Sequence, residues 1–148
     1  MEIKVYDKLP EEAREIRETV FLVEQGFEVE YDDKDEISVH LVMYKDNNTP
    51  VATCRVFKSE EGGVYILGRL AVLKEYRDKN YGSKMIEAAE KYVFGIGGTG
   101  IKLHSQCVAK GFYAKCGYRE YGEIEYEEFC PHIWMRKDFW FYIQRELY

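Results

Sequence analysis

No run of about eighteen apolar residues occurs in this chain, which leaves no candidate for a membrane-spanning helix. Nor does the N-terminus show a basic stretch followed by an apolar one, so no signal peptide is expected and the expected compartment is the cytoplasm. The cysteines, Cys54, Cys107, Cys116 and Cys130, contain no C-x-x-C pair. They sit in apolar or mixed stretches and read as buried thiols in a reducing compartment. Cys130 and His132 are the one pair that suggests zinc at all, and no metal is expected. Basic charge is in deficit, with 21 Lys and Arg against 27 Asp and Glu and a net charge of −6. That balance argues against a protein held to nucleic-acid phosphates and mildly favours cationic partners. The acidic clusters Asp32, Asp33, Asp35, Glu36 and Glu123, Glu125, Glu127, Glu128 read as solvated turns that keep the protein in solution. Internal repeats, low-complexity linkers and proline-rich spacers are also missing. One domain over residues 1–138 is therefore expected, followed by an aromatic extension over 139–148 that packs on the domain or at an interface between copies.

What is present centres on residues 70–92. An apolar run that includes Ile66, Leu67, Leu70, Ala71, Val72 and Leu73 meets a charged turn over 77–80, and Gly82 and Ser83 open a segment with apolar residues at 85, 86, 89, 92 and 93. This is strand, loop and helix. A helix start carries unpaired N–H groups and a partial positive charge, so basic side chains and a glycine there suit an anionic group of pyrophosphate size. The Lys-Ser/Thr ending of a nucleotide-binding P-loop is missing after Gly82.

Around it, residues 3–6 form an edge-strand candidate. Pro10 begins a first helix with apolar residues at 9, 13, 16, 20 and 23, ending near Gly26. The segment 28–36 is too polar for a core element and reads as a loop or a short helical turn over the surface. Runs at 39–44, 51–57 and 64–72, separated by turn clusters, predict an antiparallel meander. The glycine cluster at 95–100 ends the second helix and leads to a strand at 101–105. A third helix over 106–116 would place Val108, Ala109, Phe112 and Cys116 on one face, with Gly117 as its cap. Residues 118–124 and 133–137 predict a last hairpin around an acidic, aromatic loop. The order β-α-β-β-β-α-β-α-β-β is that of a mixed α/β or α+β domain.

At the central loop, Arg77-Asp78-Lys79-Asn80-Tyr81-Gly82, preceded by Leu70-Ala71-Val72, resembles the acetyl-coenzyme A signature of the GCN5-related N-acetyltransferase (GNAT) superfamily. Asn80 stands where that family has glycine, and asparagine is the next best residue for positive φ, so the loop conformation is expected to survive. A second block, Gln106-x-x-Ala109-x-x-Phe112-Tyr113-x-Lys115-x-Gly117-Tyr118, is similar to the family's later helix. Residues 20–25, 103–106 and 131–135 resemble the small bacterial ElaA-like subgroup.

The resemblance implies an acyl-coenzyme A N-acyltransferase fold, a mixed sheet of six to seven strands flanked by about four helices. It also implies acetyl-coenzyme A as cosubstrate, with no metal, and transfer of the acetyl group to a primary amine by direct attack in a ternary complex. Coenzyme contacts would fall to Leu70, Ala71 and Val72, to Arg77, Asp78, Lys79, Asn80, Tyr81, Gly82 and Ser83, and to Gln106, Ala109, Phe112, Tyr113 and Lys115. Tyr113 would protonate the departing sulfur. The carboxylate many relatives carry on the fourth strand has no counterpart in residues 64–69. That leaves Glu24, His40, His104 and His132 as candidates for the base, with subgroup motifs favouring Glu24, His104 and His132. Arg69 is either a charged lip of the acceptor cleft or the partner of a carboxylate in an acidic stretch, the second being preferred. The missing carboxylate and the tail also keep open a non-catalytic acyl-coenzyme A sensor. Partners expected are the coenzyme, an unidentified amine acceptor and a second copy of the chain, with no nucleic acid and no membrane.

Overall fold

Strands β2 (Val39–Lys45) and β3 (Thr49–Lys58) are buried along almost their whole length, as continuous apolar runs predict for strands covered on both faces. They lie inside a mixed sheet of seven strands in the order β1-β2-β3-β4-β5-β7-β6, completed by β1 (Glu2–Tyr6), β4 (Val64–Val72), β5 (Gly100–Gln106), β6 (Arg119–Glu127) and β7 (Cys130–Asp138). In this computed structural model, which describes residues 1–139, the α-helices are α1 (Glu11–Arg17), α2 (Tyr81–Gly95) and α3 (Lys110–Lys115). That is one α-helix fewer than expected; short wide or tight turns take up the remainder. The tail over 140–148, expected as an aromatic extension, lies outside the described residues.

The described residues form two compact units, 1–57 with 67–89 and 58–66 with 90–139. In the first, β1 and β3 flank β2 antiparallel, with Val5 opposite Leu41 and Cys54 opposite Leu41 on the other side. Ala13, Val42 and Tyr44 pack with Tyr6 and Leu9, while Ile16, Val20 and Ala71 pack with Phe21 and Leu73. After α1 the helix widens over Glu18–Glu24, where Gln25 N–H reaches the Val20 carbonyl five residues back at 3.0 Å. That widening turns the predicted apolar face: Val20 stays buried, but Val23 is 81% exposed. Gly26, in the left-handed region at φ 81°, ends the segment and lets Phe27 N–H bond the Phe21 carbonyl at 2.9 Å.

The polar segment 28–36 corrects the sequence expectation. It does not lie over the surface as a whole: Glu30 and Asp35 are buried against Arg17 of α1 and Arg55 of β3. Two arginines inside apolar patterns called for buried carboxylates, and this segment supplies them.

In the second unit β7 runs antiparallel to both β5 and β6, with His104 opposite Trp134 and Tyr121 opposite Trp134 on the far side. Glu128 and Phe129 alone make the hairpin turn, Glu128 at φ 55°. Residues 125–127 and 130–132, expected in the loop, therefore belong to strands. Ile101, Leu103, Ile133 and Met135 alternate into the core. Helix α3 also departs from expectation, since none of its residues is buried and Val108 before it stands exposed. Only Cys54 of the four thiols is fully buried, its pKa pushed up to about 12 by burial; Cys107, Cys116 and Cys130 are partly exposed.

Candidate active site

The first unit presents the loop at the end of β4. After a tight turn at Lys74–Tyr76 the chain enters the left-handed region twice, at Asp78 (φ 63°) and Asn80 (φ 64°), before α2 begins. Asn80 thus adopts the positive φ expected of it in place of glycine. The first helical hydrogen bond runs from Lys84 N–H to the Asn80 carbonyl at 3.1 Å, and the Ser83 hydroxyl donates to the same oxygen at 3.0 Å. Helical geometry leaves the N–H groups of Tyr81, Gly82 and Ser83 without carbonyls in the helix, which is the arrangement an anionic group requires. Leu70, Ala71 and Val72 end β4 immediately upstream.

Arg77, expected to lend charge to the loop, has a defined partner. Its Nε donates to the Val72 carbonyl at 3.0 Å, and its two terminal nitrogens fork onto the Glu24 carboxylate at 2.5 and 2.7 Å. Two sequence candidates thereby meet. The bond from Arg77 holds the Glu24 carboxyl below its usual range, a poor state for a proton acceptor near neutrality. Lys79 remains exposed at the turn.

Beside the loop lies an ionic web absent from the sequence reading apart from Arg69. Arg17 bonds Glu30 through Nε at 2.5 Å and Asp35 through both terminal nitrogens at 2.8 and 3.1 Å. Arg55 bonds Asp32 at 2.6 and 3.0 Å and Asp35 at 2.9 Å. Arg69, left-handed at φ 51° within β4, donates to the Glu30 carbonyl at 3.0 Å and lies 3.2 Å from the Glu30 carboxylate and 3.4 Å from that of Asp32. It is the partner of an acidic segment. Burial by itself would raise the Asp35 carboxyl; the bonds from Arg17 and Arg55 outweigh it and hold that group at about 2. His40, buried beneath, bonds the Asp35 carbonyl at 3.0 Å, and burial pushes its pKa down.

The second unit holds the later block. Gln106 leads through the tight turn Cys107–Ala109 into α3, which carries Phe112, Tyr113 and Lys115. The Tyr113 ring is half-buried, edge-on to Phe112 at 5.1 Å and to Tyr118 at 6.2 Å. Gly117 at φ 96° lets Tyr118 N–H bond the Tyr113 carbonyl at 3.1 Å. The Tyr118 hydroxyl then donates to Glu90 at 2.9 Å, and Lys137 Nζ donates to Glu90 at 3.2 Å and to the Cys116 carbonyl at 3.0 Å. These bonds fix the end of α3, and with it the Tyr113 backbone.

On the sheet of the same unit His104 and His132 lie with ring centroids 4.9 Å apart. His104 Nδ1 donates to Glu127 Oε2 at 2.6 Å, and His132 Nδ1 donates to the Cys130 carbonyl at 3.0 Å. Glu125, Glu127 and Trp134 complete the group; the sequence reading missed their role because it put 125–132 in a loop, where alternation says nothing. Among the described residues no group of three or more His, Cys, Asp or Glu side chains could hold a metal ion. Among the described residues no helix is long and apolar enough to cross a membrane.

Known proteins share both the sequence and the shape. A relative in Bacillus subtilis (strain 168) that carries an acetyltransferase name is 38% identical over 130 residues, 84% of this chain and 86% of its own length. The crystal structure of Escherichia coli ElaA matches with a TM-score of 0.81 at 23% identity, over 92% of this chain and 98% of that one. An aminoglycoside 6′-N-acetyltransferase complexed with coenzyme A gives 0.72 at 19% identity, over 94% and 97%. These two likenesses are of fold alone. The model of the acetyltransferase (GNAT) family matches residues 4–118, and this chain is an enzyme belonging to that family.

Proposed function

We propose that this chain is an acetyl-coenzyme A-dependent N-acetyltransferase that moves the acetyl group from the thioester to a primary amine of a small molecule or peptide, by direct attack in a ternary complex. Members of the family bind coenzyme A. The observation that carries the reading for this chain is the doubly left-handed turn at Asp78 and Asn80, which opens directly onto the start of α2. The residues present fit a pyrophosphate. Backbone N–H groups over 78–83 would hold it, and Lys79 and Lys84 would add charge, while Arg77 braces the loop through Val72 and Glu24. Leu70, Ala71 and Val72 would bond the pantetheine arm.

In the reaction the amine nitrogen attacks the thioester carbonyl, and the sulfur leaves with a proton. Tyr113 supports the second event, since a phenol is a donor at neutral pH and this residue's backbone is held at the pinned end of α3. Titration calorimetry with acetyl-coenzyme A tests the binding half, with saturable binding expected below millimolar ligand. Silence at that concentration would remove the reading. For the chemical half, Tyr113→Phe should lower kcat by roughly 10²-fold, the scale of one general acid, with coenzyme affinity nearly unchanged. An unaltered kcat would take Tyr113 out of the reaction.

A further inference from the structure

Strand alternation gives the second unit's sheet two unlike faces. One carries the buried Ile101, Leu103, Ile133 and Met135; the other carries Lys102 and His104 of β5, His132, Trp134 and Arg136 of β7, and Glu125 and Glu127 of β6. We propose that His104 is the base that takes the proton of the acceptor's ammonium group, with Glu127 as its positioning residue. This assignment rests on the N-acetyltransferase reading above and supplies the proton acceptor that reading lacks.

A carboxylate only accepts, so the 2.6 Å bond to Glu127 Oε2 puts the ring hydrogen of neutral His104 on Nδ1 and leaves the lone pair on Nε2. That nitrogen is shielded from solvent and has no hydrogen-bond partner. It meets Glu125 Oε1 at 3.4 Å, outside hydrogen-bond geometry. The ring is held in place on its face as well, stacked on Trp134 at 4.7 Å and 26°, and Trp134 Nε1 in turn donates to Glu125 Oε1 at 3.1 Å. The second imidazole, His132, has its Nδ1 donating to the Cys130 carbonyl and its Nε2 3.3 Å from Glu127 Oε2, the same oxygen that His104 Nδ1 holds. An imidazole whose one nitrogen is bonded, whose ring is stacked and whose other nitrogen is unpaired beneath a solvent-exposed carboxylate can receive a proton when an incoming ammonium displaces that carboxylate.

The surroundings select an ammonium. Glu125 is 60% exposed and held by the hydrogen bond from Trp134, Glu127 is partly exposed, and the Trp134 face already attracts one ammonium, Lys102 Nζ at 5.7 Å. The acceptor R–NH3⁺ gives one proton to His104 Nε2, and the imidazolium is balanced by Glu127. The neutral amine then forms the C–N bond as the C–S bond breaks. Sulfur takes the Tyr113 phenol proton, a second proton from nitrogen restores the phenol, and His104 releases its own to water. The products are the amide, the thiol and one proton.

The test is thiol release from acetyl-coenzyme A with a panel of alkyl, aryl and α-amino primary amines, followed against pH. In the wild type, kcat/KM should fall on the acid side as the base becomes protonated. His104→Gln should lower kcat/KM by about 10²–10³-fold, erase that acid limb, and leave the dissociation constant for acetyl-coenzyme A unchanged, with added imidazole restoring part of the rate. Glu127→Gln should lower kcat/KM less than His104→Gln does and redistribute the His104 ring hydrogen between its two nitrogens, because the carboxylate no longer fixes it on Nδ1. A wild type that turns over, beside a His104→Gln variant with the same rate and the same limb, would overturn the assignment and leave the enzyme reading standing. A wild type that neither binds the coenzyme nor turns over any amine would remove both. Nitrogen-15 spectra of the imidazoles provide a readout without turnover: His104 should carry its hydrogen on Nδ1, and the opposite tautomer would also overturn the proposal.

Discussion

The chain contains two clusters of charged side chains, one in each unit, and they are built on opposite terms. In the first, Arg17, Arg55 and Arg69 are matched to Glu30, Asp32 and Asp35 by short, partly bidentate bonds, with Arg17 and the Glu30 side chain each only 1% exposed. Guanidinium and carboxylate groups so paired have no proton to exchange near neutrality. In the second, two imidazoles share one carboxylate, the acidic partners reach solvent, and one ring nitrogen is unpaired. A web of permanently ionised pairs tethers a polar segment to α1, β3 and β4, whereas one built on imidazoles can move a proton. Density of charge by itself distinguishes neither role, and neither does complete pairing, since Glu30 Oε2 and Arg55 Nε are as unpartnered as His104 Nε2; what separates the clusters is that guanidinium and carboxylate groups stay ionised across neutrality whereas an imidazole can exchange a proton there.

Breaking the arginine–carboxylate web should produce the largest effect. Arg17→Met strands Glu30 and Asp35 in the interior and should cost about 3–5 kcal/mol, read as a lower midpoint in urea at unchanged slope. The pH dependence of stability comes next. The Asp35 carboxyl is lower in the folded chain than in the unfolded one, so its stabilisation is complete above the ordinary carboxylate value and is lost as pH falls from there toward about 2. His40, also lowered by burial, acts with the same sign from about 6.5 downward, because the unfolded imidazole binds the proton more readily. Stability should therefore decline on acidification, and Asp35→Asn should flatten the lower part of that decline; an unchanged slope would show that the web does not govern acid sensitivity. The smallest effect belongs to the other cluster. His104→Gln and Glu127→Gln should each shift stability by less than about 1 kcal/mol, as partly exposed pairs do, while changing the reaction. If instead they destabilised as much as Arg17→Met, the contrast between the two clusters would fail.

Much of the site's frame was legible along the chain because it depends on neighbours in sequence. The meander, the loop at 77–80 and the start of the following helix come from apolar periodicity and turn residues, and Asn80 at positive φ is a local preference. Segment 28–36 was misread since its composition is that of a surface loop, and nothing local says that Arg17 and Arg55 will claim its carboxylates. The clue lay elsewhere, in two cations set inside apolar patterns. Similarly, Glu125 and Glu127 looked like solvent-facing acid in a turn because the hairpin was drawn too short.

The sequence by itself determined the order of strands and helices, the left-handed loop before α2 and the kinship of the chain, because each is written in contiguous residues. Only the tertiary structure decided which charges are spent and which are not. Arg77 meets Glu24, and Arg69 meets Glu30, across dozens of intervening positions. His104 of β5 finds Glu127 of β6 with β7 between the two strands. The reason is physical: hydrogen bonds act over about 3 Å, and only strand register and packing bring such distant residues within that reach.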